Sequence, residues 1–222
     1  MTTQDYIDSL TFVRGEGDYD KHQASIMSAA VAKWRLDHGE PLGDATDKLD
    51  CVCPVVRRLA VSINNMVWWK TDGERTNILK PLIDNLLNTK GSDELMCRRA
   101  YRCADVAVRE FAASALRARG FESEAEELEK LDSIVDKQTA IDACASAADA
   151  SSASDFASSA SDFASSAAAS AASAASTSAF AASESAFAAS ASANRHKSRD
   201  RCIELLLELC EMKDGTNSEK GD

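Results

Sequence analysis

Ser92-Asp93-Glu94-Leu95-Met96-Cys97-Arg98-Arg99-Ala100-Tyr101-Arg102-Cys103-Ala104-Asp105-Val106-Ala107-Val108-Arg109-Glu110-Phe111 reads as one amphipathic helix. Ala100, Cys103, Ala104, Ala107, Val108 and Phe111 recur at the three-and-four spacing that gathers side chains on one helical face. Ser92-Asp93-Glu94 is a start signal, and no glycine follows until Gly120. Upstream, Pro54 suits a first helical position, with Val56, Leu59, Ala60, Ile63 and Val67 behind it. Ile78, Leu79, Leu82, Ile83, Leu86 and Leu87 mark another helix, with Pro81 near its first turn and Gly91 just past its end. Downstream, Ser123 and Glu126 have the spacing of a capping box ahead of Leu128 and Leu131. All three prolines and six of the nine glycines lie before residue 92, so short helices and turns come first and long helix afterwards. Few stretches alternate with period two, and the chain is therefore expected to be an all-α helical bundle. Residues 1–91 form its short-helix region, 92–213 its long-helix region and 214–222 a flexible tail.

The segment 143–193 differs in kind. Of its 51 residues 24 are Ala and 17 are Ser, and none is basic. Ser154-Asp155-Phe156-Ala157-Ser158-Ser159-Ala160 repeats as the next seven residues, which puts Phe156 and Phe163 on one face. Abundant Ala favours helix over disorder. Phe163 and Phe180 fall out of that register, and a break near Ser176 accounts for it. One unbroken helix would be roughly 77 Å long at about 1.5 Å per residue. Two antiparallel Ala/Ser-rich helices fit a chain of this size better. Small side chains allow backbones to approach to about 8 Å, either inside one bundle or along a homo-oligomer seam. Residues 163–183 are uncharged and long enough for a bilayer, yet eight of them are Ser or Thr, which removes the apolar drive. No membrane span is expected.

The formal charge is -11, which argues against a partner in duplex nucleic acid. Seven cysteines and an N-terminus without a basic start or an apolar run point to reduced thiols in a cytoplasm. Neither Cys51-Val52-Cys53 nor Cys97 with Cys103 has zinc-ligand spacing, and Cys202 and Cys210 ride an amphipathic helix with Ile203, Leu206 and Leu207. They are expected in the core. No phosphate loop, nucleophile elbow, dinucleotide fingerprint or H-E-x-x-H motif is present, so neither enzyme activity nor a cofactor is expected.

Two groups of residues suit binding. Trp68 and Trp69 are adjacent at a helix end, where one narrow end cannot bury both, and tryptophan is enriched in binding hot spots. Arg57, Arg58, Arg98, Arg99 and Arg102 concentrate positive charge in an acidic chain. They suit an acidic protein target or a small anionic ligand, with a Trp ring as a stacking surface for a base. Salt bridges to the many Asp and Glu are the plainer use of the same arginines.

Ala24-Ser25-Ile26-Met27-Ser28-Ala29-Ala30, Gly39-Glu40-Pro41-Leu42, Cys51-Val52-Cys53-Pro54-Val55-Val56 and Arg98 through Glu110 resemble stretches of uncharacterised helical proteins from actinobacterial and phage genomes. Leu205-Leu206-Leu207-Glu208-Leu209 and the Ala-rich stretch look like the same group. The chain is similar, over residues 24–212, to Ala-rich helical proteins labelled immunity proteins. In those relatives the repeat is Ala-Ala-Asp-Ala-Ala with Tyr, Trp or Arg between, and here Ser takes many of those positions. The resemblance implies neutralisation of a toxin or defence component by binding, and it brings no catalytic residues.

Overall fold

The chain starts with a reciprocal cap. Thr2 Oγ1 accepts the Asp5 N–H at 3.1 Å, and the Asp5 carboxylate accepts the Thr2 N–H at 2.8 Å. That cap starts α1 (Thr3–Ser9) in the computed structural model, which describes residues 1–152 and 195–215. The fold is mostly helical, but the all-α expectation needs correction. β1 (Thr11–Phe12), β2 (Gly17–Asp18) and β3 (Gln23–Ala24) form a small sheet in the order β1-β3-β2. β1 runs parallel to β3, with Phe12 opposite Ala24, and β2 runs antiparallel to it, with Gly17 opposite Ala24. Gly17 has φ +90, and a Cβ there would lie 2.5 Å from the Ala24 backbone, so only glycine fits this crossing. Strands of two residues are too short to show alternation, which is why the sheet leaves no period-two pattern.

The sheet is bound to the helices by polar contacts. The Phe12 N–H donates to Thr76 Oγ1 at 2.7 Å, and Arg75 Nη1 donates to the Phe12 carbonyl at 3.1 Å. α2 (Ile26–Asp37) is capped by Ser25, and α3 (Pro54–Asn65) carries its proline in the first turn as expected. Asn64, fully buried near the end of α3, accepts the Ile26 N–H and donates to the Val13 carbonyl. The helix expected around Ile78 begins earlier. α4 (Asp72–Leu79) is capped by Thr71, a 3-10 turn at Lys80–Leu82 holds Pro81, and α5 (Ile83–Leu86) follows. Pro81 thus separates two helices instead of opening one, because its ring prevents an unbroken i to i−4 ladder.

Ser92 caps α6 (Asp93–Asp105), accepting the Leu95 N–H. The helix widens into a π segment at Val106–Ala112 and tightens again in α7 (Ala113–Arg117), and Gly120 turns the chain at φ +87. α8 (Glu122–Glu129) starts after Phe121 with no side-chain cap. The capping box expected from Ser123 and Glu126 is therefore not made, since Ser123 already lies inside the helix. α9 (Lys137–Ser152) and α10 (Arg195–Glu211) complete the described chain.

One apolar cluster runs from Tyr6 and Leu10 through Leu59 and Ile63 of α3 to Leu205, Leu206 and Leu209 of α10. It crosses the boundary expected at residue 91. α10 packs against α3, α5 and α6. Ala140, Ala143 and Ala147 of α9 are buried at helical spacing. No helix among the described residues is long and apolar enough to cross a membrane. The Phe156 and Phe163 heptads, the break near Ser176, the uncharged stretch 163–183, most of the Ala/Ser seam and most of the tail fall outside the described residues.

Candidate functional site

The two tryptophans do not form a surface. α3 ends at Asn65, Met66 is extended at ψ 151, and Trp68 and Trp69 leave from the turn that follows. A turn, unlike a helix end, can send consecutive side chains inward: Trp68 is 2% and Trp69 9% exposed, while Val67 beside them is 47% exposed. Trp69 Nε1 donates to the Ile63 carbonyl at 2.9 Å. The Arg199 guanidinium covers the Trp69 ring, its Cζ 5.4 Å from the ring centroid. Arg199 is itself buried and paired with Glu74 at 2.7 Å and Asp200 at 2.8 Å. The face expected to stack a base is occupied by the protein's own cation.

The arginines separate by role. Arg99 is 1% exposed. Its Nε donates to the Leu209 carbonyl and its Nη2 to the Met212 carbonyl, both at 2.8 Å, and its Nη1 donates to the Thr89 carbonyl. Leu209 and Met212 lie at the C-terminal end of α10, where carbonyls lack helical partners. Arg99 therefore acts as a cap delivered from another helix. Arg102 donates to Asp105 Oδ2 at 2.8 Å and, through Nε and Nη2, to Glu208 Oε2 at 2.9 and 2.8 Å. Glu208 Oε1 accepts from Arg201 at 2.6 Å, and Arg201 grips Glu110 with two bonds of 2.6 and 2.8 Å. Burial alone would raise the Glu208 carboxyl, but Arg201 and Arg102 outweigh it and hold it below its ordinary value. Arg57 is half-buried and Arg58 exposed on α3.

Arg98 remains at the surface. It is exposed, and its Nη1 donates to the Lys213 carbonyl at 3.2 Å. It lies in a groove of about 520 Å³ that also takes in Glu94, Tyr101, Arg102 and Asp105 of α6, Ser133, Ile134 and Val135, and Met212. Positions 94, 98, 101, 102 and 105 share one face of α6. Val135 is 64% exposed at this groove. Its backbone is nevertheless tightly held. The N–H groups of Val135 and Asp136 both donate to Thr139 Oγ1 at 3.1 Å, and Asp136 Oδ1 accepts the Thr139 N–H at 2.9 Å. Burial pushes the Tyr101 phenol upward. Of the expected binding residues, the groove brings together Arg98 and Arg102. It adds Tyr101, Val135 and Met212, of which only Tyr101 was detectable, as a neighbour of both arginines on one helical face.

The groove has two arginines balanced by Glu94 and Asp105 and offers mixed polar and apolar contact without strong charge. Elsewhere, Ser9 Oγ lies 2.8 Å from His22 Nδ1, an arrangement that invites a nucleophile–base reading. Ser9 Oγ donates its proton to the Tyr6 carbonyl at 2.6 Å, so it accepts from the ring and closes α1 instead. Among the described residues, no three His, Cys, Asp or Glu side chains gather to hold a metal. Cys202 and Cys210 are buried, as their helical pattern implies. Burial raises the thiols of Cys103 and Cys202 far above the usual range, and pushes Cys210 up to about 12. Such thiols are poor nucleophiles.

Comparison with protein-family models, curated proteins and solved structures finds no match.

Proposed function

We propose that this is a non-catalytic binding protein that takes a segment of a partner protein into the groove between α6, residues 133–135 and Met212. One observation carries the reading: Val135 is 64% exposed yet fixed by the Asp136–Thr139 cap. A rigid, solvent-facing valine contributes apolar area to a complex at little entropic cost. Tyr101, Met212 and Arg98 around it are residue types enriched at the centres of interfaces. Neutralisation of that partner, in the immunity or anti-defence sense, is what the resemblance of residues 24–212 adds.

The alternative, a helical sponge for a small nucleotide-like anion, has less to support it. Arg102 is already shared between Asp105 and Glu208, Arg99 is buried on carbonyls, and both Trp rings are covered. Arg98 is the one member of the expected cluster that faces the groove with no carboxylate among its described hydrogen bonds.

The deciding experiment is a tagged pull-down from native host cells with the wild type, Val135→Asp and Tyr101→Ala side by side. One protein held stoichiometrically by the wild type and released by both variants, with helical circular dichroism unchanged, supports the groove. Equal retention by the variants, or no stoichiometric partner, overturns it. A nucleotide at a hundred times its dissociation constant would add about 2.7 kcal/mol of stability. A thermal shift of that size, abolished by Arg98→Ala, would transfer the assignment to the anion reading.

A further inference from the structure

The outer wall of the groove is attached to α6 through one carboxylate. Asp105, its side chain 8% exposed, ends α6 where the π segment begins. Its Oδ1 accepts the Ile134 N–H at 3.1 Å and Arg109 Nη1 at 3.2 Å, and its Oδ2 accepts Arg102 Nη1 at 2.8 Å. Arg109 Nη1 also donates to Ser133 Oγ at 2.9 Å, giving the same wall a second, indirect tie. Ile134 turns its side chain into the core at 3% exposure, while Ser133 and Val135 on either side face solvent. The Thr139 cap holds the Val135 N–H within the wall itself, and what fastens the wall to the α6 side is the buried Ile134 side chain, Asp105 and the Arg109–Ser133 bond. π segments occur frequently at functional sites, and this one starts at the tie and contains Arg109.

We propose that Asp105 is a positioning residue: it sets the width of the groove by holding the wall at Ile134 against α6. Three donors converge on it, and two of them carry charge, so the bonds are of the strong, charge-assisted kind. The effect on a partner rests on the groove reading above. The tie itself can be measured without any partner.

Amide hydrogen exchange on the full-length chain tests it. In the wild type the Ile134 N–H must exchange slowly even though its neighbours Asp132, Ser133 and Val135 are exposed. Rapid exchange at Ile134 would overturn the proposal before any variant is made. In Asp105→Ala, exchange at Ile134 should rise by about tenfold or more relative to the amides of α3 and α10, a ratio that remains readable if overall stability falls. Asp105→Asn retains an oxygen acceptor and should bring Ile134 back toward the wild-type rate. A rise at Ile134 no greater than that of the two helices sinks the tie. A selective rise at Ile134 with partner affinity unchanged supports the tie and overturns the groove as the binding surface.

Discussion

The turn that follows α3 and the outward face of α6 carry similar equipment: large side chains next to arginine. In the first, Trp68 and Trp69 are buried and Arg199 closes over the Trp69 ring. In the second, Tyr101 and Arg98 line an open groove with Val135 at its edge. Hot-spot residue types therefore do not identify a surface by themselves. What separates the two regions is the direction of the backbone: a turn folds consecutive side chains inward, whereas a helix face keeps its residues on the side away from the core.

The sharpest way to break this comparison is to truncate the large side chain in one region and the exposed cation in the other. Trp68→Ala should cost about 3–5 kcal/mol in urea or guanidinium unfolding, the usual price of emptying a buried aromatic site. Arg98→Ala should stay within about 0.5 kcal/mol of wild type. Similar losses for both would mean that the two regions are not opposite in kind.

Arg99 sharpens the contrast within α6 itself, because it neighbours Arg98 in sequence and lies on the buried side. Arg99→Met should cost about 3 kcal/mol, since carbonyls of Thr89, Leu209 and Met212 lose their donor. Hydrogen exchange should show the end of α10 fraying. Arg98→Met should leave that end protected.

Much of this contrast was readable from local pattern and part of it was not. Pro54, Ser92 and the spacing of Ala100, Cys103, Ala104 and Ala107 act through neighbours in the chain and mark the starts of α3 and α6. Val67, counted on the α3 face, instead lies past the helix end at 47% exposure, and the π segment at Val106–Ala112 leaves no mark in the spacing. Arg99 gave no such signal, because its acceptors at Leu209 and Met212 lie more than a hundred residues away. The same holds for Arg199, whose partner Glu74 comes from the far side of the chain. The sheet is hidden by strands of two residues, and the Thr71 cap starts α4 ahead of the apolar pattern at Ile78 that marks this helix in the sequence. Val135 has no periodic neighbours, so its exposure follows from the tertiary fold alone.

Acid sets the smallest of these effects, and it reaches both regions. The Glu74 carboxyl is held below its ordinary value by the Lys70 N–H and by Arg199, against burial. Burial alone would raise Glu208, and Arg201 and Arg102 together hold it low. Folded-state values below the unfolded ones give stability that is present above about pH 4.5 and lost as the pH falls through the lowered values. Glu74→Gln should flatten the acid limb followed by tryptophan fluorescence, which reports the Trp69 cover. Glu208→Gln should flatten the limb followed by exchange in α10. Identical effects on both signals would show that the two regions unfold in acid as one unit.

The placement of α10 has a consequence for how the molecule is made. Residues 195–211 complete a core whose other walls, α3 and α6, leave the ribosome much earlier, and the 153–194 stretch is synthesised in between. Until α10 arrives, α3 and α6 lack a covering helix, and Arg99 keeps only the Thr89 carbonyl of its three acceptors. The nascent chain must wait in an unfinished state through all of that interval. Contacts between such distant parts of a sequence also slow folding. A ribosome stalled just before residue 195 should therefore display a protease-sensitive chain, and one released after residue 215 a resistant one.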